Sequence, residues 1–235
     1  MLVVNHMFYD APTPPPGIFD GFLETPHLSA DIGTRGMASL VSAGNNSGLI
    51  RDHRTMFSTV SVRDWTPALI KAVINETEVK KKSIFPPLCV VCLTVNLQFW
   101  GQKLGPKNAV FISYNVEPFL YDHLEHNAFP SAFPPSASRP SSRAMSPMNV
   151  WFEWEGPEYD RDYYDAIMAS TRHLKELVAQ EQGRYLDDMP MYNNYAAHDT
   201  PLESIYGDNL PALREIARKY DPKRVMALAG GFKFQ

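Results

Sequence analysis

The chain has 235 residues, 44% of them hydrophobic and 12% aromatic, with a formal net charge of −4. That length is enough for one sizeable core, and the apolar content excludes an intrinsically disordered chain. The mildly acidic balance excludes a basic surface for nucleic acid or anionic membrane, so a small molecule or another protein is the expected partner.

The opening residues, MLVVNHMFYDAP, carry no basic lead and no long apolar run. Neither a signal peptide nor a membrane span is expected from them, and the cytoplasm is the expected location. Residues 2–9 favour a strand, and a strand beginning at the first methionine suggests a domain cut in mid-sheet. Prolines at 12–16 form a turn, and a short helix over 17–24 stops before Pro26. Residues 39–43 suit a helical turn, and GNNSG at 44–48 is a loop. Residues 56–62 read as a strand. Asp64 is the expected N-cap of a helix that admits Pro67 in its first turn. Leu69, Ile70, Val73 and Ile74 form its apolar stripe, and Lys80, Lys81 and Lys82 its solvated end. Asn45-Asn46-Ser47 and Asn75-Glu76-Thr77 fit the glycosylation sequon but lack an export signal.

Residues 88–100 read as the longest strand. Cys89 and Cys92 fall inside it, three apart and therefore on opposite faces, so they pack as core residues rather than share a bond or a metal. Residues 109–116 form another strand. His123 and His126 have helical spacing for a metal pair, but no third ligand accompanies them, so no metal is expected. The stretch 129–147, FPSAFPPSASRPSSRAMSP, is a long loop, because its prolines remove donors and fix φ. A strand over 149–155, an amphipathic helix over 159–182 and a last helix over 209–220 follow. That last helix turns Leu210, Leu213 and Ile216 inward and ends at Asp221-Pro222. This order predicts an α+β fold, an antiparallel or mixed sheet covered by helices on one face.

Alternation divides that sheet. Cys89, Val91, Leu93, Val95, Leu97 and Phe99 belong to an apolar face, with Thr94, Asn96, Gln98 and Trp100 on the other. Val150, Phe152 and Trp154 likewise oppose Asn149, Trp151, Glu153 and Glu155. In 56–62, Phe57, Thr59 and Ser61 oppose Met56, Val60 and Val62. The mixed face either meets water or lines a ligand cavity, since ligand sites combine aromatic walls with a few placed polar groups. On the second reading Thr94, Asn96, Gln98, Trp100, Trp151 and Phe57 contact substrate, and Glu153 is the best-placed carboxylate for acid–base work.

The C-terminal residues Tyr192-Asn193-Asn194-Tyr195-Ala196, Pro201-Leu202, Tyr206-Gly207, Asn209, Leu213, Tyr220-Asp221-Pro222 and Gly230-Gly231-Phe232-Lys233 carry a family likeness. Their order and spacing resemble the closing signature of berberine-bridge-enzyme-like FAD-linked oxidases. FYDAPTPPPGIFDGFLETP and the strand–helix unit up to residue 82 resemble that family's substrate domain more loosely. The resemblance implies a substrate-type domain over 1–190 with a berberine-bridge-like segment, 191–235, packed on it. It also implies that Tyr192, Asn194 and Tyr195 line the site, with Tyr192 and Tyr195 as phenolic donors. His198 follows that segment and is a proton carrier if the cavity exists, or else a solvent-exposed loop histidine. The family's glycine-rich flavin-binding unit has no counterpart here, and Met226 stands where relatives usually carry phenylalanine.

Without a flavin no side chain accepts a hydride. The leading expectation is therefore a truncated oxidase-like protein acting as a cofactor-independent cyclase or isomerase on a hydrophobic secondary metabolite. Holding a reactive conformer contributes up to roughly 7–11 kcal/mol and an oxyanion hydrogen bond about 3–4 kcal/mol, enough for such a reaction. The alternative is a non-catalytic or split subunit whose FAD comes from a partner flavoprotein. A bare module-facing surface would also favour a homodimer.

Overall fold

In the computed structural model the described residues are 3, 5–44, 53–77, 100–119, 129, 131–133, 146–183 and 189–234. Helices α1 (Asp20–Leu23) and α2 (Met37–Gly44) lead to strand β1 (Arg54–Val62) and helix α3 (Pro67–Thr77). Next come α4 (Trp100–Leu104), β2 (Ala109–Val116), β3 (Ser146–Trp154) and the 23-residue α5 (Asp160–Gln182). Helices α6 (Leu202–Tyr206) and α7 (Leu210–Tyr220) close the chain.

The three strands form one antiparallel sheet with β3 between β1 and β2. Paired residues share a face, so the register assigns every side chain. Met56, Val60 and Val62 join Met148, Val150, Phe152 and Trp154, with Ile112 and Tyr114 from β2. α5 covers this apolar face with Tyr163, Ala166, Ile167, Ser170, Leu174 and Val178, buried at intervals of three and four. Leu69 and Val73 of α3 and Leu104 of α4 complete the core. The Trp154 indole stacks flat on the Tyr163 ring at 4.5 Å. The α+β architecture with a helix-covered sheet is as the alternation predicted.

Local chemistry sets the boundaries. Gly156, at φ 90°, makes the turn from β3 that Pro157 carries toward α5, and Gly183 ends α5 at φ 104°. The Gln182 amide ties that end to the loop after β1. It accepts from the Arg63 and Asp64 backbone N–H groups at 3.1 Å and donates to the Asp64 carbonyl at 2.6 Å. α3 is capped by Thr66, whose hydroxyl accepts from the Leu69 N–H at 3.1 Å, and not by Asp64, which pairs with Arg63. The capping oxygen has to sit three residues before the amide it satisfies, and Asp64 lies two residues too early.

A polar lock fastens α3, β2 and α5. Glu76, 6% exposed, accepts from the Tyr114 hydroxyl at 2.8 Å and from Ser170, and meets His173 Nδ1 at 2.5 Å. The sequon at 75–77 is thus part of a helix whose central residue faces inward.

Four further expectations need correction. The described residues among 2–9 form no strand, because none of the described strands pairs with them to supply a ladder. Trp100 opens α4 and lies 7% exposed in the core under the apolar face, rather than ending a strand on the mixed face. β3 starts at Ser146, inside the expected loop. Pro147 fits there because it pairs with Ser61 of β1, one step past the last residue of β3 that β2 reaches. Ile216 of α7 is 53% exposed instead of inward. Residues 88–99, with Cys89 and Cys92, and the histidines at 123 and 126 lie outside the described residues.

Candidate functional site

The second sheet face carries Thr55, Phe57, Thr59 and Ser61 from β1, Pro147, Asn149, Trp151 and Glu153 from β3, and Phe111, Ser113 and Asn115 from β2. A bulge between Ala109 and Phe111 creates the last set. Ala109 pairs with Trp154 on the apolar side, whereas Phe111 pairs with Glu153, so the extra residue reverses the alternation of β2.

Aromatic rings lie across this face. Trp151 meets Phe57 edge-on at 5.3 Å and Phe111 at 5.0 Å. Tyr195 packs on Phe57 at 6.2 Å and on Tyr192 at 5.0 Å, and Tyr192 meets Phe133 at 5.8 Å. The segment that brings these tyrosines is pinned to the sheet edge, since the Ser61 hydroxyl donates to the Pro190 carbonyl at 2.9 Å. It then joins a second cluster in which Ile205, Tyr206 and Leu210 pack with Phe133, Met191 and Phe232.

The polar groups beneath the rings fall into two stations. At one, the Tyr195 hydroxyl donates to Glu117 Oε1 at 2.6 Å, just past the end of β2. Burial raises the Glu117 carboxyl above its ordinary range, and the tyrosine hydrogen bond offsets part of that rise. Burial, reinforced by the facing carboxylate, holds the Tyr195 phenol well above its usual range. Tyr195 spans from Phe57 to Glu117, over the row Thr59–Asn149–Asn115. Within that row Thr59 Oγ1 and Asn149 Oδ1 are buried with no hydrogen-bond partner.

At the other station Glu153 is 1% exposed, and neither carboxylate oxygen makes a well-formed hydrogen bond among the described residues. Desolvation raises its pKa, and His53, with Nδ1 at 3.8 Å, lowers it in part. His53 Nε2 also faces Glu155 at 3.4 Å. Glu117 follows Val116, which pairs with Met148, so five to six strand steps, roughly 17–20 Å, separate the two carboxyls. They cannot serve the same reacting atom.

The structure therefore unites only part of the set expected from sequence. Phe57, Trp151, Tyr192 and Tyr195 come together, and exposed Asn194 joins them by donating to the Tyr192 hydroxyl at 2.8 Å. Glu153 shares the face but stands at its far end. His198 is exposed beside Tyr164 of α5, 6.2 Å between ring centroids, away from the tyrosine–glutamate pair. Trp100 lies on the opposite side of the sheet, and Thr94, Asn96 and Gln98 fall outside the described residues. Glu117 and His53 escaped the sequence reading. Extending the alternation Phe111, Ser113, Asn115 by one step reaches Glu117, so its face was legible although its partner was not.

A stretch of 75 residues is 32% identical to the FAD-linked oxidoreductase pgmH of Aspergillus terreus (strain NIH 2624 / FGSC A1156), covering 30% of this chain and 16% of that protein. A second Aspergillus terreus protein of the same name is 31% identical over 75 residues, 15% of its length. The chain thus matches about a sixth of the length of these curated relatives and is related to FAD-linked oxidoreductases over that stretch. No family model and no solved structure matches it. Among the described residues no helix is long and apolar enough to cross a membrane.

Proposed function

We propose that the ring-lined sheet face is the substrate-holding wall of an FAD-linked-oxidoreductase-type site for an apolar aromatic small molecule. The observation that supports this most directly is the Tyr195–Glu117 hydrogen bond at the margin of a wall of edge-to-face rings. Such rings hold a flat guest by stacking and leave few polar groups to orient it. A phenol with a raised pKa keeps its proton and is a durable hydrogen-bond donor, so on guest binding Tyr195 turns its one O–H from Glu117 to the guest's oxygen and frees the carboxylate. Glu117, whose raised pKa makes it a better proton acceptor than an exposed carboxylate, takes the guest's acidic proton. Asn149 and Thr59 offer the remaining polar contacts. On this reading the tyrosine segment and the sheet act as one binding unit, the berberine-bridge-like arrangement of a substrate domain with its C-terminal segment.

A bound flavin would supply the two-electron acceptor that side chains lack. The described residues do not fit its pyrophosphate. The strand-to-helix turn from β3 to α5 is the natural phosphate seat in such a unit, but it carries Glu155, Glu158 and Asp160, which repel an anion. In this proposal the flavin is therefore held elsewhere, by a flavoprotein partner or module, and no step here runs through it. A second reading, a cofactor-independent cyclase or isomerase, is favoured by the same pair, because shuttling a proton between oxygen and carbon needs only an acceptor and a donor.

Naphthol serves as the probe. It should quench tryptophan fluorescence in the intact chain and bind at least about tenfold more weakly to Trp151→Ala and Tyr195→Phe, a loss near 1.4 kcal/mol. Equal binding by all three would overturn the wall. Exchange of naphthol ring hydrogens in heavy water, accelerated by the chain alone, supports the isomerase reading. Turnover that appears only with an added flavoprotein supports the oxidoreductase one.

A further inference from the structure

Two surfaces have no partner among the described residues, and they differ in charge. None of the described side chains between residues 3 and 42 is buried, although this arm carries ten large hydrophobics that are 39–92% exposed, among them Phe8, Phe22, Leu28 and Met37. The arm holds four carboxylates, Asp10, Asp20, Glu24 and Asp31, against one arginine, Arg35. At the other end, Ile216, Tyr220, Val225, Met226 and Leu228 are 53–88% exposed on α7 and the turn after it. Residues 210–234 carry six lysines and arginines against two carboxylates. Arg218 and Lys219 stand in the last turn of α7, where the helix dipole favours them; both are exposed, with Lys219 Nζ 5.1 Å from the Tyr220 ring centroid.

We propose that the partner of these surfaces is a second copy of this chain, with the acidic apolar arm of each subunit docked on the basic apolar α7 surface of the other. Exposed apolar patches of this extent mark interaction sites in soluble proteins. Opposite charge on the two patches orients the contact and disfavours arm-on-arm pairing. A two-fold pair makes the arm–α7 contact twice and closes, so no patch is left to propagate a chain of copies. Stable interfaces take about 800 Å² per partner, within reach of fifteen half-exposed large side chains per subunit. The contact uses α7 and the arm, neither of which supplies a residue named in the tyrosine–glutamate wall, and so is argued independently of the proposed activity.

Sedimentation velocity on the full chain tests this, with far-ultraviolet circular dichroism confirming the fold of every variant. The intact chain should sediment as a dimer at micromolar concentration, with a dissociation constant that rises severalfold as salt is increased. The double variant Arg218→Glu/Lys219→Glu should dimerise at least about tenfold more weakly, and so should Asp20→Lys/Glu24→Lys. A chain carrying all four substitutions should recover most of the affinity, which general disruption of folding would not allow. A monomer at every concentration, or a four-fold variant no better than either double variant, overturns the proposal.

Discussion

Replacing Glu153 by methionine should make the protein more stable. The carboxylate is 1% exposed and makes no well-formed hydrogen bond among the described residues; His53 Nδ1 at 3.8 Å is too distant to donate well, and Trp151 and His53 offset the desolvation only in part. A buried polar group left unpaired costs about 1–3 kcal/mol, and more when charged. Methionine has similar length, fills the same space and requires no partner. Glu153→Met is therefore expected to gain roughly 1–3 kcal/mol near neutral pH, less the weak attraction to His53, which is lost with it. For a chain of this size each kcal/mol raises Tm by about 2–4 °C. The pH dependence supplies the sharper test. Burial raises the folded-state pKa of Glu153 above its ordinary value. The folded chain consequently holds this proton more tightly than the unfolded chain, so the group's favourable contribution is complete below the unfolded pKa and disappears as pH rises through the folded one. The advantage of the methionine variant should be smallest near pH 4 and grow to a plateau above the folded-state pKa. Urea melts of both proteins across that range measure it. A destabilised variant, or an advantage that does not change with pH, would refute the account of Glu153 as a carboxylate strained by desolvation.

Further substitutions probe other contacts. Tyr195→Phe should cost roughly 1–2 kcal/mol at neutral pH, read by urea denaturation, because half-buried Glu117 loses its donor. The same change should move the Glu117 pKa further up, since the lost bond lowers it, and carboxyl NMR titration reads that shift. Glu76→Ala should cost roughly 2–4 kcal/mol in the same urea assay, as the buried Tyr114 and Ser170 hydroxyls both lose their shared acceptor. Gly156→Ala should cost about 1–2 kcal/mol, because a side chain resists φ 90°; the Glu158 carboxylate, 2.7 Å from the new Cβ, can swing aside. Thermal melts that match the parent chain would remove that strain argument.

Period-two alternation was enough to divide β1 and β3 into their two faces, because side-chain direction in a strand is a local property. The apolar spacing of α5 was legible for the same reason. Thr66 was missed because two capping residues two apart look alike until the first helical turn is seen. Glu117 and Tyr195 lie 78 residues apart, and no local rule links them. His198 was taken for a site residue from its nearness in sequence to Tyr195, but the turn between them carries it to Tyr164 on α5. The one-residue bulge in β2 decides which way Phe111 points, and such irregularities are set by the neighbouring strand. Glu76 sits at the centre of a sequon match, and that match says nothing of its burial, which follows from where α3 packs.

That buried acid also bears on the opposite side of the sheet. Its hold on the Tyr114 hydroxyl clamps the middle of β2, and Ser113 and Asn115 project from the same short stretch of backbone in the other direction. A tilt of α5 or a slip of α3 would therefore be transmitted through a single strand as a rotation of Ser113 and Asn115, the floor of the proposed binding face, without any contact between helix and that face.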